Sequence, residues 1–359
     1  MKHLSVVLCG LAASDAFVLL SAVPACGQRK SPEGPLPPAL PFDTNYIASH
    51  RNLLCVNLVN TLRDLDMTVT NPGNTAEQLV YRTNNFQNWG LGASYKWLSV
   101  ELSTRVPFLS PRDKRKGTTR PFGLRFGVNG RKFWFNSFFQ YYEGMYLNNP
   151  QGFDSQWFAT NRNYPLRPDI GNLTIYATGN YAFNHRRFSQ NASLWQVEQQ
   201  KRSAGTFIVG LSAGLYGIQA DSSVVPQRLQ GRFAPSANVI SSGTFYFGIN
   251  AGYLHTFVIK QRGFIHLGLI PSIGIQGRGY LLSDSTQVSQ GEGAATAEFR
   301  FSMGYNGRLY YGGLAAASIA FADNASFGGV IGLTHSYVRL FFGRRFRLGF
   351  RVPIVDRRK

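Results

Sequence analysis

The chain has 359 residues, a formal net charge of +19, 15% charged residues, 14% aromatic residues and 38 glycines. Roughly 25% of the residues are charged in an ordinary soluble domain, so this sequence lacks the charges that a water-exposed surface of its size would carry. The basic residues are scattered and no segment has the pattern of a groove-binding helix, so we expect no nucleic-acid partner.

The N-terminus has the pattern of an export signal. Lys2 precedes an apolar stretch that ends at Val23, and small residues follow that stretch. We predict a signal peptide over residues 1–27 that is cleaved after Gly27. Cleavage before Cys26 is the alternative, and it would leave a lipid-anchored chain.

The mature chain divides into three parts by composition. Residues 28–52 contain a Pro-rich run and predict an extended periplasmic leader. Residues 53–353 predict the folded domain, and residues 354–359 predict a basic tail. Cys55 is the cysteine that remains after ordinary cleavage, so we expect no internal disulfide and interpret Cys55 as a small apolar residue on a strand.

The folded domain is a succession of short segments in which bulky apolar residues alternate with small or polar ones. In one segment Phe245 and Phe247 fall on one face, whereas Gly248 and Asn250 fall on the other. The mature chain has no run of about 20 apolar residues that would span a membrane as a helix. A membrane-spanning chain of this kind must close its sheet, because an open edge would leave backbone groups unpaired in lipid.

Two Asn-Gly pairs predict tight hairpins with type I′ turns, because both residue types tolerate a positive φ. The pairs are Asn129-Gly130 and Asn306-Gly307. Two-residue loops would fix the registers, pairing Val128 with Arg131 and Tyr305 with Arg308. Each register gives one apolar sheet face and one small or charged face.

Further hairpins are predicted around residues 96–97, 184–187 and 259–263. Longer polar stretches lie at residues 110–120, 148–169, 220–241 and 277–294. Short turns on one side and long loops on the other are typical of an outer-membrane barrel. We therefore predict an all-β fold, a single antiparallel transmembrane β-barrel. The alternation of connections fails between residues 184 and 241, which leaves 12 to 14 strands, and we favour 12. Residues 338–350 predict the closing strand.

Several segments resemble a bacterial family, the domain of unknown function 4421. They are FDTNYI (residues 42–47), GLGASYKWLSVEL (90–102), GRKFWFNSFFQYYEGMYL (130–147), QKRSAGTFIVG (200–210) and VRLFFGRRF (338–346). The resemblance extends from about residue 42 to residue 350, and it implies an exported, barrel-like protein. The family has no assigned activity, so the resemblance carries over no site residue. Asp15 in the signal and the tail after Phe350 depart from it.

Two kinds of charged position are candidate sites. Glu298 and Arg300 lie two apart on the face assigned to the lumen, where they would form either a solute-selecting constriction or an ion pair that fills a narrow barrel. Arg131 and Arg308 follow the Asn-Gly turns, where a cation could meet lipid phosphate or simply face solvent. The histidines lack a metal-ligand spacing, so we expect neither a metal nor a cofactor, and we predict no catalytic residues.

Three classes of function remain open at this point. The first is a non-enzymatic outer-membrane barrel, either a small channel or a structural envelope component, with membrane lipids as its partners. The second is a barrel enzyme that acts on membrane lipid. The third is a soluble or lipid-anchored periplasmic β protein. No catalytic motif lies in the structural context that its chemistry would need, and this favours the first class.

Overall fold

The alternating segments form antiparallel strands throughout most of the computed structural model, which describes residues 41–84, 87–110, 113–322, 331–350 and 352. In strand Val239–Ile259, Tyr246 and Asn250 are buried, whereas Phe247 and Ile249 are exposed. Strand side chains point alternately to opposite faces, so the sheet has an apolar outer face and a largely polar inner face. The predicted signal peptide and the predicted basic tail lie outside the described residues.

The strands follow one another in chain order. They are β1 (Ile47–Ser49), β2 (Leu54–Asn71), β3 (Asn74–Arg82), β4 (Gln87–Tyr95), β5 (Leu98–Thr104), β6 (Arg120–Val128), β7 (Phe133–Leu147), β8 (Leu166–Ala182), β9 (Glu198–Gln200), β10 (Ala204–Gln219), β11 (Val239–Ile259), β12 (Gly263–Leu282), β13 (Gln287–Asn306), β14 (Tyr310–Ala322) and β15 (Ile331–Phe346). The described loops hold a short α-helix, α1 (Trp157–Thr160), and 3-10 turns at Lys114–Lys116, Pro150–Gly152, Gln190–Ala192, Gln227–Leu229 and Pro235–Ala237. No helix in these ranges is long and apolar enough to cross a membrane.

The sheet closes into a barrel because β2 pairs with the last strand, β15. The closed sheet contains thirteen segments. Two of them, β3 and β4, pair with successive parts of β2, since Arg82 lies opposite Asp66 and Gln87 lies opposite Leu62. They are two parts of one interrupted strand, so the barrel has twelve strands, as the sequence predicts.

Short turns lie at one end of the barrel and long connections at the other. At the short-turn end, Tyr95 pairs with Leu98 and Ile259 pairs with Gly263, which confirms two of the predicted hairpins. At the opposite end, long loops follow β5, β7 and β10. The polar stretch predicted at residues 277–294 is instead a long hairpin, because Leu281 pairs with Gln287.

The registers predicted for the two Asn-Gly hairpins are wrong. Val128 pairs with Phe135, not with Arg131, and Tyr305 pairs with Gly312, not with Arg308. Neither Asn129 nor Asn306 has the positive φ that a type I′ turn requires. Both partners move by four residues, an even number, so the side chains within the paired strands keep their predicted faces.

The segment between β8 and β10 is not the hairpin predicted at residues 184–187. It enters the short-turn end of the barrel, and its strand β9 pairs with β1, where Ile47 lies opposite Gln200. This inward segment explains why the alternation of short and long connections fails between residues 184 and 241. The folded unit begins at Phe42, so part of the predicted leader is packed in the barrel end. The closing strand β15 runs without a turn through Gly343 and Arg344, as predicted, but it spans Ile331–Phe346 and not the predicted residues 338–350.

Candidate functional site

The barrel wall is inverted relative to a soluble protein. Phe207 and Ile273 point outward and are 67% and 72% exposed, whereas the side chains of Arg125 and Arg300 point inward and are 12% exposed. Burying apolar side chains is normally the main driving force of folding. An exposed apolar belt around a polar lumen is therefore a surface suited to lipid.

The inward segment at the short-turn end, residues 183–203, forms a plug in the lumen. Trp195 is buried, donates a hydrogen bond from Nε1 to Asn136 Oδ1 (3.0 Å), and lies with its ring 5.1 Å from the Arg125 guanidinium. Val197 is fully buried in an apolar cluster with Val59 and Phe341 of the barrel wall. The plug is thus packed against the wall on its apolar side and hydrogen-bonded to it on its polar side.

A buried carboxylate joins the plug to two other parts of the chain. Glu198 accepts hydrogen bonds from Arg51 Nε (2.7 Å) and Ser189 Oγ (2.5 Å), and it forms an ion pair with Arg131 Nη2 (2.8 Å). The guanidinium of Arg131 also lies 3.5 Å from the ring of Phe42. The structure therefore places Arg131 inside the barrel end, which corrects its expected position at lipid headgroups.

A second arginine, on β15, holds the plug to the turn between β13 and β14. Arg345 is buried, donates to the carbonyl oxygens of Gln196 and Gly307, and lies 2.6 Å from Asn306 Oδ1. Asn306 in turn donates from Nδ2 to the carbonyl oxygen of Glu198 (2.9 Å). Arg308 in the same turn is exposed, and its contact with lipid headgroups stays a prediction.

His50 lies in the N-terminal segment that packs on this end of the barrel. Its backbone N–H donates to the carbonyl oxygen of Val197 (2.9 Å). Burial, together with the nearby charge of Arg345, lowers the pKa of His50 from 6.5 to about 4. The imidazole is therefore neutral in the folded protein at neutral pH.

The loop between β10 and β11, residues 220–238, folds inward and forms a cap at the opposite end. Val224 and Phe233 of this loop are buried in an apolar cluster with Leu79 and Ile170 of the wall. Tyr81 donates a hydrogen bond of 2.5 Å to the carbonyl oxygen of Val224. The cap is thus anchored by apolar packing and by a buried hydroxyl.

A chamber of about 80 Å³ remains in the lumen beside the plug, whose residues Gln190 and Trp195 belong to its wall. Its wall includes the predicted pair, in which Arg300 donates to both carboxylate oxygens of Glu298 at 2.6 and 2.8 Å. Arg125 also lines the chamber and lies 3.5 Å from Glu101. The ion pair between Glu298 and Arg300 is therefore formed and lines the chamber, and its role as a constriction or as a filling of the barrel stays a prediction.

A hydroxyl network lies beside the chamber. Tyr246 Oη is 2.6 Å from Ser272 Oγ, and Ser272 Oγ is 3.1 Å from Ser212 Oγ. The sequence analysis missed this network, and it missed the roles of Trp195, Glu198 and Arg345 in the plug. The sequence contained one indication of the plug: the alternation of short and long connections fails after residue 184.

The described histidine side chains lack the partners of a hydrolase. His266 Nδ1 contacts Thr256 Oγ1 (3.0 Å), His255 Nδ1 contacts Tyr253 Oη (3.1 Å), and His185 Nδ1 contacts the carbonyl oxygen of Ala182 (3.2 Å). Among the described residues, no group of three His, Cys, Asp or Glu side chains could hold a metal ion.

A family model described as "Domain of unknown function (DUF4421)" matches residues 41–346. No curated protein matches the chain. Similar solved structures include the outer membrane protease OmpT of Escherichia coli, at 6% identity, a TM-score of 0.35, and coverage of 84% of this chain and 98% of that one. The Pseudomonas putida toluene transporter TodX matches at 8% identity and a TM-score of 0.26, over 83% of this chain and 91% of that one. These likenesses concern the barrel alone and carry no inference about activity.

Proposed function

We propose a function from geometry because the chain belongs to the family described as "Domain of unknown function (DUF4421)", a description that assigns no activity. The protein is a non-enzymatic barrel of the bacterial outer membrane, closed to solutes at both ends, and it serves as a structural component of the envelope. Membrane lipids are its partners along the outer wall.

The observation that carries this proposal is the double closure of the lumen. At one end the plug buries Trp195 and Val197 against the wall, and at the other end the cap buries Val224 and Phe233. Packed side chains exclude water-sized solutes, since protein interiors pack as densely as organic crystals. The plug and the cap therefore obstruct the lumen at both ends, and this supports a barrel that does not conduct.

The exposed belt supports the placement in a membrane. Leu91, Phe207 and Ile249 are each more than 60% exposed on the outer wall. Contiguous apolar surface of this kind on a soluble protein would promote aggregation. Failure of the full chain to fold without detergent, with heat-modifiable migration in a detergent gel once folded, would support this placement.

Planar-bilayer recording on the refolded full chain tests the closure. We expect no steady conductance from the natural protein, and openings only when Arg345→Gln, which loosens the plug, is combined with Tyr81→Phe, which loosens the cap. Glu143→Gln, which alters a more exposed ion pair at the loop end, should stay silent as the matched control. Steady channels from the natural protein would refute the proposal, and turnover of an acyl lipid would favour the barrel enzyme instead.

A gated conduit is the second candidate, because the lumen retains a polar chamber and its plug is held partly by polar contacts at Glu198 and Arg345. Openings in the natural protein that appear only when a solute is added would favour this candidate. Openings that require both substitutions would favour the closed structural barrel.

A further inference from the structure

Positive charge exceeds negative charge around the central chamber. Arg300 is paired with Glu298, while Arg125 and Arg339 share the single carboxylate of Glu101 at 3.5 and 2.6 Å. The described side chains of this group therefore comprise three guanidinium groups and two carboxylates. Because arginine does not deprotonate in proteins, one positive charge lacks a counter-charge within the group, and an uncompensated buried charge is costly.

Hydrogen-bond donors also remain unused at the chamber wall. Nη1 of Arg300 and Nδ2 of Asn136 have no hydrogen-bond partner, and neither do His266 Nε2 and Tyr142 Oη. All four residues line the chamber, and His266 and Tyr142 are each 2% exposed. Buried polar groups are normally satisfied, and a set rich in donors is complementary to an anion.

Arg125 lies close to two aromatic rings, and Arg300 lies in the same row of the sheet as one of them. The strand register places Arg300, Ala317 and Tyr337 in one row across three adjacent strands. The Arg125 guanidinium lies 5.6 Å from the ring of Tyr337 and 5.1 Å from that of Trp195. The rings of Trp195 and Tyr337 therefore orient the guanidinium of Arg125. The small side chain of Ala317, which lies between Arg300 and Tyr337 in the row, leaves space in the chamber.

The volume of the chamber limits what it can hold. A buried water needs roughly 10–15 Å³ of such space, so a chamber of about 80 Å³ accommodates a small ion with a few waters, but no larger organic solute. A volume of about 80 Å³ has no room for a lipid headgroup with its glycerol, so the occupant is a free ion.

We propose that this chamber binds one small oxyanion, of the size and charge of inorganic phosphate, between Arg125 and Arg300. Charge-assisted bonds from guanidinium groups to phosphate oxygens are strong and directional. The ion would supply the missing counter-charge and accept the donors that have no partner in the protein. This site does not depend on whether the barrel conducts.

The test measures binding of inorganic phosphate by the full chain refolded in detergent. The chain is folded with and without phosphate, at an ionic strength matched with chloride. Calorimetric titration of the phosphate-free sample gives the affinity. A phosphate assay after desalting of the loaded sample gives the amount that the closed chamber retains. We expect saturation at one phosphate per chain, with higher thermal stability than in chloride.

Two variants probe the site in different ways. Arg300→Gln should weaken phosphate binding at least tenfold because a charged donor is lost, and Ala317→Leu should abolish it by filling the chamber without changing any charge. Arg308→Gln, at an exposed turn, should bind like the natural protein. Heat-modifiable migration verifies that each variant is folded. Absence of saturable or retained phosphate in the natural protein, or unchanged binding in folded Ala317→Leu, overturns the proposal.

Discussion

The guanidinium of Arg131 lies 2.8 Å from the carboxylate of Glu198, and this ion pair joins a turn of the barrel wall to the plug. Glu198 also binds Arg51 of the N-terminal segment. Three parts of the chain that are distant in sequence therefore meet at one carboxylate that solvent does not reach. That carboxylate therefore holds the plug, the wall and the N-terminal segment together at this end of the barrel.

We expect Glu198→Gln to destabilise the protein by about 3–5 kcal/mol, the usual cost of removing one partner of a buried ion pair. The substitution leaves Arg51 and Arg131 without their counter-charge. Equilibrium unfolding in denaturant, followed in detergent micelles, measures the loss. Glu143→Gln is the control, because its ion pair with Arg120 is more exposed and should contribute about 1 kcal/mol or less. Equal losses in the two variants would contradict the role given to Glu198.

The lowered pKa of His50 predicts that the protein loses stability in mild acid. Its pKa is lowered from 6.5 to about 4 in the folded protein, so the unfolded chain binds the proton first as the pH falls. Its contribution to stability is therefore complete above about pH 6.5 and is lost progressively as the pH falls toward 4. Unfolding midpoints measured between pH 4 and pH 8 should fall more steeply for the natural protein than for His50→Gln. Parallel curves would show that His50 does not titrate in this way.

The sequence was sufficient to predict which face of each strand meets lipid, because alternation is a local property of the chain. Phe133 and Met303 point outward and Arg125 points inward, as predicted. The hairpin registers were not predictable from the turn residues alone. Asn129 donates to Ser99 Oγ (2.7 Å) and Asn306 is bonded to the plug, so interior contacts, not turn propensity, determine the conformation of both asparagines.

The plug was not predictable from sequence patterns either, because long-range contacts determine its structure. Residues 183–203 form one three-residue strand and irregular turns, so they have no periodicity to detect. Their bonds run to Arg51, Arg131 and Arg345, which are distant in sequence. The ion pair of Glu298 and Arg300 was predictable, because two inward residues on one strand lie close together whatever the register is.

The close packing of Trp195 on Gly127 requires that position 127 has no side chain. A Cβ atom built at this buried position would lie 2.5 Å from Nε1 of Trp195, which is closer than packed atoms allow. We expect Gly127→Ala to cost about 1–3 kcal/mol, as overpacking usually does. Denaturant unfolding compares it with Gly279→Ala, where a Cβ atom would meet nothing within 4 Å. A Gly127→Ala variant as stable as Gly279→Ala would mean that Trp195 is not packed on β6.

The hydroxyl of Tyr81 anchors the cap, and its removal is expected to loosen the cap. Its hydroxyl is buried and donates to the carbonyl oxygen of Val224, so Tyr81→Phe leaves that carbonyl without this donor. We expect a loss of about 1–3 kcal/mol, together with faster proteolysis of the loop at residues 220–238. Tyr310→Phe, at an exposed position, should change neither measurement. An unchanged rate of loop cleavage in Tyr81→Phe would show that apolar packing alone holds the cap.

The outer belt gives the most direct test of the membrane placement. Ile273 is 72% exposed on the outer face of β12, and an arginine on the lipid face near the bilayer midplane costs about 2–4 kcal/mol. We therefore expect Ile273→Arg to lower the yield and stability of barrels folded into phospholipid vesicles. In a water-exposed wall the same change would improve solubility, because it replaces exposed apolar surface with a charge. Thr75→Arg, near the tip of the β2–β3 hairpin, introduces the same side chain outside the belt and should fold normally. If Ile273→Arg folds into vesicles as well as Thr75→Arg does, the belt does not face hydrocarbon.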